Sequence, residues 1–217
     1  MLTRAIAAGV AALLLGACQS GETEAPANEA AVAANTAEAV VRPAPAAPPA
    51  APAKAAEPVL TSDGFGPLRI GMTRAEVVAA LGEDAQPEAV GGPDPDACDE
   101  FRPGRAPEGM LLMIEAGRLT RISLIREAKV GTDRGVGLGA TAAAVRAAYG
   151  PGLRAELHKY EAKPAEYLTW WAKDGPKGEG AATPAMARGL LYEVGGKGTV
   201  QRISAGGPSI RYVEGCA

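Results

Sequence analysis

Histidine is almost missing from this 217-residue chain, which has a single one, His158. Zinc centres built on several imidazoles are excluded with it. Aromatic residues make up 4%, including two Phe and two Trp, so the 47% hydrophobic fraction is inflated by small residues that fill little core. There is no excess of positive charge: 22 Lys and Arg stand against 25 Asp and Glu, for a net charge of −3. That excludes a broad basic face, and with it ordinary electrostatic binding of nucleic acid. No CxxC pair, phosphate loop or dinucleotide glycine pattern occurs. Past the N-terminal region the serines are Ser62, Ser123, Ser204 and Ser209, and none sits in a nucleophile elbow. What the chain does have is glycine (28) and proline (18), and a length that suits one large domain or two small ones.

Arg4 precedes a ten-residue apolar run, Ile6–Leu15, which is too short to span a bilayer as a helix. Leu15-Gly16-Ala17-Cys18 follows directly and resembles the lipobox of bacterial lipoproteins. The resemblance implies a signal peptide over residues 1–17, cleavage before Cys18, and acylation of the Cys18 sulfur and of its new amino group. Several acyl chains make such an anchor effectively permanent, since each buried methylene contributes about 0.8 kcal/mol. Gln19 stands where an Asp tends to hold such proteins at the inner membrane, so the implied location is the periplasmic face of the outer membrane. A plain secretory signal with an incidental cysteine is the alternative. From Ala25 to Glu57, 16 of 33 residues are Ala and six are Pro, a composition unable to offset the entropy of ordering. Residues 18–57 therefore read as a disordered tether that holds the remainder roughly 35 Å from the lipid.

With Cys18 acylated, Cys98 and Cys216 remain as an even pair in an oxidising compartment, and one disulfide between them is expected. Two free buried thiols or a redox pair are the other readings.

An internal duplication runs through the rest. Gly71, Thr73, Val77, Ala79, Ala80 and Gly82 match Gly139, Thr141, Val145, Ala147, Ala148 and Gly150 at a constant offset, and Arg121-Ile122-Ser123 matches Arg202-Ile203-Ser204. Thr73 with Glu76 forms a capping box, and Gly82 ends the helix it opens. Thr141 caps a second helix without the glutamate, and Gly150-Pro151 stops it. Each helix has about eight residues and must lean on a sheet to form. Strand patterns occupy Met110–Glu115 and Arg118–Arg126 around Ala116-Gly117, then Leu153–Tyr160, Tyr167–Lys173, Leu190–Val194 and Thr199–Ala205. The expected class is α+β, as two tandem copies of a short helix packed on an antiparallel β-meander, with copies at 58–130 and 131–217. Whether the two sheets join is left open.

The phrase GPLRIGMTRAEVVAALG, followed by a cysteine-bearing segment and a hairpin, resembles the helix-on-meander module of β-lactamase inhibitory proteins. It also resembles a small outer-membrane lipoprotein of the β-barrel assembly machinery, and the doubled arrangement is more like the inhibitor. The end Tyr212-Val213-Glu214-Gly215-Cys216 resembles that of other lipoproteins. The resemblance covers residues 63–217 and implies a protein-binding or assembly-support role. No inhibitor contact residue carries over to a position here.

His158 lies in a strand-like stretch and reads as a surface or hydrogen-bonded residue rather than a catalytic one. Asp94, Asp96, Asp99 and Glu100 could offer weak calcium binding, but a cysteine at 98 and the lack of a closing glutamate favour a solvated turn. Trp170 and Trp171 are neighbours in a strand, so they face opposite sides. An outward tryptophan beside Tyr167 and near Arg121 or Arg202 would make a contact patch. Alternatively the insert Lys173–Arg188 covers it. The Arg-Ile-Ser segments read as a polar outer strand face. The expected function is that of a non-catalytic module, tethered to the membrane and binding a periplasmic or envelope protein, with no cofactor and no metal. The alternative is an enzyme acting on cell-wall or small-molecule substrates.

Overall fold

Residues 57–89, 91–178 and 180–216 are described by a computed structural model, and all belong to one unit. The expected signal peptide, the acylated Cys18 and nearly all of the tether lie outside the described residues. No helix among those described is long and apolar enough to cross a membrane.

Three two-residue strands, β1 (Leu60–Thr61), β2 (Gly64–Phe65) and β3 (Leu68–Arg69), form a small antiparallel sheet. Helix α1 (Arg74–Leu81) follows, with the full capping box at Thr73 and Glu76. Then come β4 (Cys98–Phe101), β5 (Met110–Glu115) and β6 (Arg118–Ile125). Helix α2 (Ala142–Tyr149) has Thr141 as N-cap. The chain continues through β7 (Leu153–Leu157), β8 (Glu166–Lys173), β9 (Arg188–Val194) and β10 (Val200–Gly206). Between β5 and β6, Ala116 (φ 47°) and Gly117 (φ 74°) both take the left-handed conformation, the demand of a two-residue turn whose twist matches its strands.

This architecture corrects the expected α+β fold of two tandem helix-on-meander copies. The chain is β-rich, with antiparallel sheets of three and seven strands and two eight-residue helices among the described residues. The large sheet runs β4-β5-β6-β10-β9-β8-β7. Its two contributors meet where β6 pairs with β10 over five register positions, with Ser123 directly opposite Ser204. The edges of the two hairpins hydrogen-bond to each other, so neither half keeps a sheet of its own. The halves also differ, because the small β1–β3 sheet precedes only α1 and four strands follow α2 against three after α1.

One face of the large sheet carries Leu112, Ile122, Leu124, Leu168, Leu190, Tyr192 and Ile203, all essentially inaccessible. Onto it pack Val77 of α1, Val145 and Tyr149 of α2, and Leu60, Phe65 and Leu68 of the small sheet. Burying each large aliphatic side chain contributes about 1.5–3 kcal/mol, which is why helices this short hold only in place. Three hydroxyls meet inside this core. Tyr192 Oη lies 2.6 Å from Tyr149 Oη and 3.3 Å from Thr132 Oγ1, so the polar ends of two buried rings are satisfied.

Candidate functional site

The opposite face of the large sheet is polar, yet largely buried. After β10 the chain turns back at Gly207, whose N–H donates to Thr120 O at 3.1 Å. Residues 207–216 then lie as a strap over this face, through a 3-10 turn at Pro208–Arg211, and end at the expected Cys98–Cys216 disulfide. Arg121 holds the strap from beneath. Its Nη1 donates to Ser209 O (3.1 Å) and Tyr212 O (3.0 Å), and its Nη2 meets Glu100 Oε1 at 3.4 Å. Burial pulls its pKa below the ordinary guanidinium value, but a guanidinium with three acceptors around it stays charged at neutral pH. Ser123 and Ser204 share a 3.1 Å hydrogen bond at 1% exposure. The side chains of Arg121, Ser123 and Ser204 are thus a covered layer rather than an outer face, while Arg202 is half-buried.

Where the strap passes β7–β10 it leaves a pocket of about 230 Å³. Glu156, Tyr167, Leu191, Glu193, Arg202 and Ser204 line it from the sheet. Ile210, Arg211, Tyr212 and Val213 line it from the strap, with Leu157 and Lys159 at one end. Its charges are largely paired: Arg202 Nε lies 3.7 Å from Glu193 Oε2, and Arg211 Nη2 lies 3.0 Å from Glu156 Oε2. Tyr167 is 7% exposed, and its hydroxyl makes no hydrogen bond of normal geometry. Burial pushes its pKa up. At the rim, Glu214 accepts from Tyr160 and from Lys159 Nζ. The Tyr160 bond and the lysine hold Glu214 below the usual carboxylate range, and Tyr160 and Glu214 hold Lys159 above its own.

His158 stacks on Tyr167, with ring centres 4.6 Å apart. Its Nδ1 accepts from the N–H groups of Tyr160 (3.2 Å) and Glu161 (3.1 Å), which places the ring proton on Nε2, 3.4 Å from Glu193 Oε1. Both ring nitrogens are engaged, and neither is open to a substrate.

Of the residues singled out in the sequence, Tyr167 and Arg202 line the pocket and Arg121 anchors its roof. Trp171 is on the same face, packed against the cluster of Tyr167, Leu191 and Ile210. It is partly covered there: a Cβ added at Gly175 would fall 2.5 Å from its Cβ, and one at Gly189 2.7 Å from its ring. Trp170 takes the other face, 5.1 Å from Tyr149, with the Arg134 guanidinium 4.3 Å above its ring. Asp94 caps a turn, accepting from the N–H groups of Asp96 and Ala97. Asp99 pairs with Arg74 at 2.5 Å, and no cluster able to hold a metal ion occurs among the described residues. Glu156, Glu193 and Arg211 went unread in the sequence. The hairpin register opposing Glu193 to Arg202 was the one local signal for them, and Arg211 depends on the strap folding back.

No family model matches the chain, and no curated protein matches it. Among solved structures, a DUF4309 family protein (YjgB) from Bacillus subtilis aligns over 62% of this chain and 78% of its own at 18% identity, with a TM-score of 0.36. A likeness this slight carries no argument about fold or function.

Proposed function

We propose that this chain is a lipid-anchored protein of the bacterial outer membrane that binds a periplasmic or envelope protein, without catalysis, through the strap-side pocket. The pocket and its rim carry this reading. Tyr212 (47% exposed) and Val213 (37%) stand open on the pocket wall, with Tyr160 (63%) beyond Lys159 and Glu214 at the rim. Exposed aromatic residues about a small, mixed-charge hollow suit a protruding side chain of a protein partner. Support for the anchor is the Leu15-Gly16-Ala17-Cys18 motif, and the Cys98–Cys216 disulfide suits an oxidising compartment.

Two measurements test the two halves separately. Alkynyl-palmitate labelling of cells should mark the wild-type chain and not Cys18→Ala; equal labelling of both removes the anchor. A photo-crosslinking residue at position 212 should give a discrete adduct with an envelope protein, and the same residue at exposed position 88 should not. Matching adduct patterns at the two positions would remove the pocket as the binding site.

A further inference from the structure

The seven-stranded sheet has two unlike edges. Past the end of β4, residues 84 and 85 continue the edge as partners of Arg102: Ala85 N–H donates to Arg102 O at 2.8 Å, and Asp84 Oδ1 accepts from Arg102 N–H at 3.1 Å. β7 has no such backbone partner among the described residues; Pro176, Gly178 and residues 180–183 face Arg154, Ala155 and Glu156 only across an open cleft. It pairs with β8 through five unshifted register positions, Leu153↔Trp170 to Leu157↔Glu166. No other backbone hydrogen bond reaches its residues 154–157 among the described residues. Four of its five residues are exposed, and Leu157 is 71% exposed. An open edge of this kind is a template for another strand.

The strand's own sequence indicates which strand fits. Laid antiparallel on itself about Ala155, Leu153-Arg154-Ala155-Glu156-Leu157 sets Leu153 opposite Leu157 and Arg154 opposite Glu156, each twice. A shift of two residues either way sets Arg154 against Arg154 or Glu156 against Glu156, and directly opposed like charges are unfavourable. A one-residue slip would turn every side chain to the wrong face. Edges guarded against pairing carry a proline, a bulge or repelling charges. β7 has no proline and no bulge, and its charges complement their own images. The pairing leaves existing contacts in place. Arg154 reaches Pro176 O (2.7 Å) and Gly178 O (3.3 Å) with one N–H each, and Glu156 bonds Arg211 through Oε2, leaving Oε1.

We infer that β7 is a self-association edge, through which two copies of this chain join antiparallel about a twofold axis at Ala155. The sheet then has fourteen strands, seven from each copy. The axis runs perpendicular to the sheet, so both strap-side pockets open on the same face. Leu157, bare in the single chain, lies beside Leu153 of the second copy, itself packed against that copy's core. Five residues span only about 16 Å of strand, so the dimer is weak and forms where the chain is concentrated.

The test is sedimentation equilibrium of the full chain in density-matched detergent over a concentration series. Wild type should dimerise. Arg154→Glu and Glu156→Arg should each weaken association by about tenfold or more, because each opposes like charges at both symmetry-related pairs. An equimolar mixture of the two single variants should form a heterodimer, and the double variant should recover the homodimer. Wild type that stays monomeric, or single variants that associate as it does, would overturn the inference. A readout free of charge changes is Ala155→Cys treated with a short bismaleimide. It should yield covalent dimer above the level of the unsubstituted chain, and failure to do so also overturns the inference.

Discussion

Arg121 concentrates the chemistry of the strap in one side chain. It is 1% exposed, and it serves two carbonyls of the strap and one carboxylate of β4. Removing it leaves Glu100 and the carbonyls of Ser209 and Tyr212 without their donor. Losing one partner of a buried charged network costs about 3–5 kcal/mol, more than most core truncations of one or two methylenes. Arg121→Met is therefore expected to lower the urea unfolding free energy by about 3 kcal/mol at neutral pH. Arg121→Lys should recover only part of this, since an ammonium is compact where the guanidinium forks. If Arg121→Met were as stable as wild type, the strap would be held by the disulfide alone. The sequence marked Arg121 as a candidate contact residue, but its role as an internal brace depends on a segment 88–91 residues away. No local pattern encodes that distance.

At the scale of single elements, the two helix starts offer a comparison within one molecule. Thr73 and Glu76 cap each other: Thr73 N–H donates to Glu76 Oε2 at 2.7 Å, and Glu76 N–H to Thr73 Oγ1 at 3.3 Å. The Thr73 backbone N–H, followed by the Thr73 hydroxyl, holds the Glu76 carboxyl below its ordinary pKa. A depressed carboxylate pKa means a stabilising contribution that is complete above the ordinary carboxylate range and is lost as pH falls through the depressed value. Thr141 caps α2 alone, because Ala144 stands where Glu76 does in α1. Thr73→Ala and Thr141→Ala should each cost about 1 kcal/mol. Carboxyl NMR titration should show the Glu76 pKa rising part of the way toward normal in Thr73→Ala, which loses the hydroxyl and keeps the backbone N–H, and unmoved in Thr141→Ala. An unmoved Glu76 in both would mean that the Thr73 hydroxyl does not bond the carboxylate in solution. These elements were legible in the sequence because a cap is a matter of three or four neighbouring residues. β5 was read to the residue, and β6, β8, β9 and β10 to within two. β4 and the two-residue strands β1–β3 were not, since segments so short show no periodicity and exist only through their partners.

For the molecule as a whole, the Cys98–Cys216 disulfide closes a separation of 118 residues and ties the strap to β4. Closing so long a loop limits the unfolded ensemble, with typical stabilisation of about 2–4 kcal/mol. Replacing both cysteines by Ser should lower stability by about 3 kcal/mol. In hydrogen exchange the strap should lose protection first, while the centre of the large sheet, β6 and β10, keeps its own. Equal loss across both would mean that strap and sheet unfold as one unit. The pocket belongs to this scale too, since its roof is the strap and its floor is β7–β10.

Composition and local pattern were enough to specify the helix caps, most strand positions and the opposite facing of Trp170 and Trp171, and they made the Cys98–Cys216 pair the expected one once Cys18 is set aside. Each follows from chemistry that acts between neighbours or from counting. Tertiary structure alone decided that the hairpins fuse into one seven-stranded sheet, because that depends on β6 and β10 finding each other's free edges. It decided likewise that Arg121, Ser123 and Ser204 are buried, since only the returning strap covers them, and that Trp171 is partly covered. Backbone edges are chemically alike wherever they occur. Which edge meets which is therefore set by how the whole chain packs.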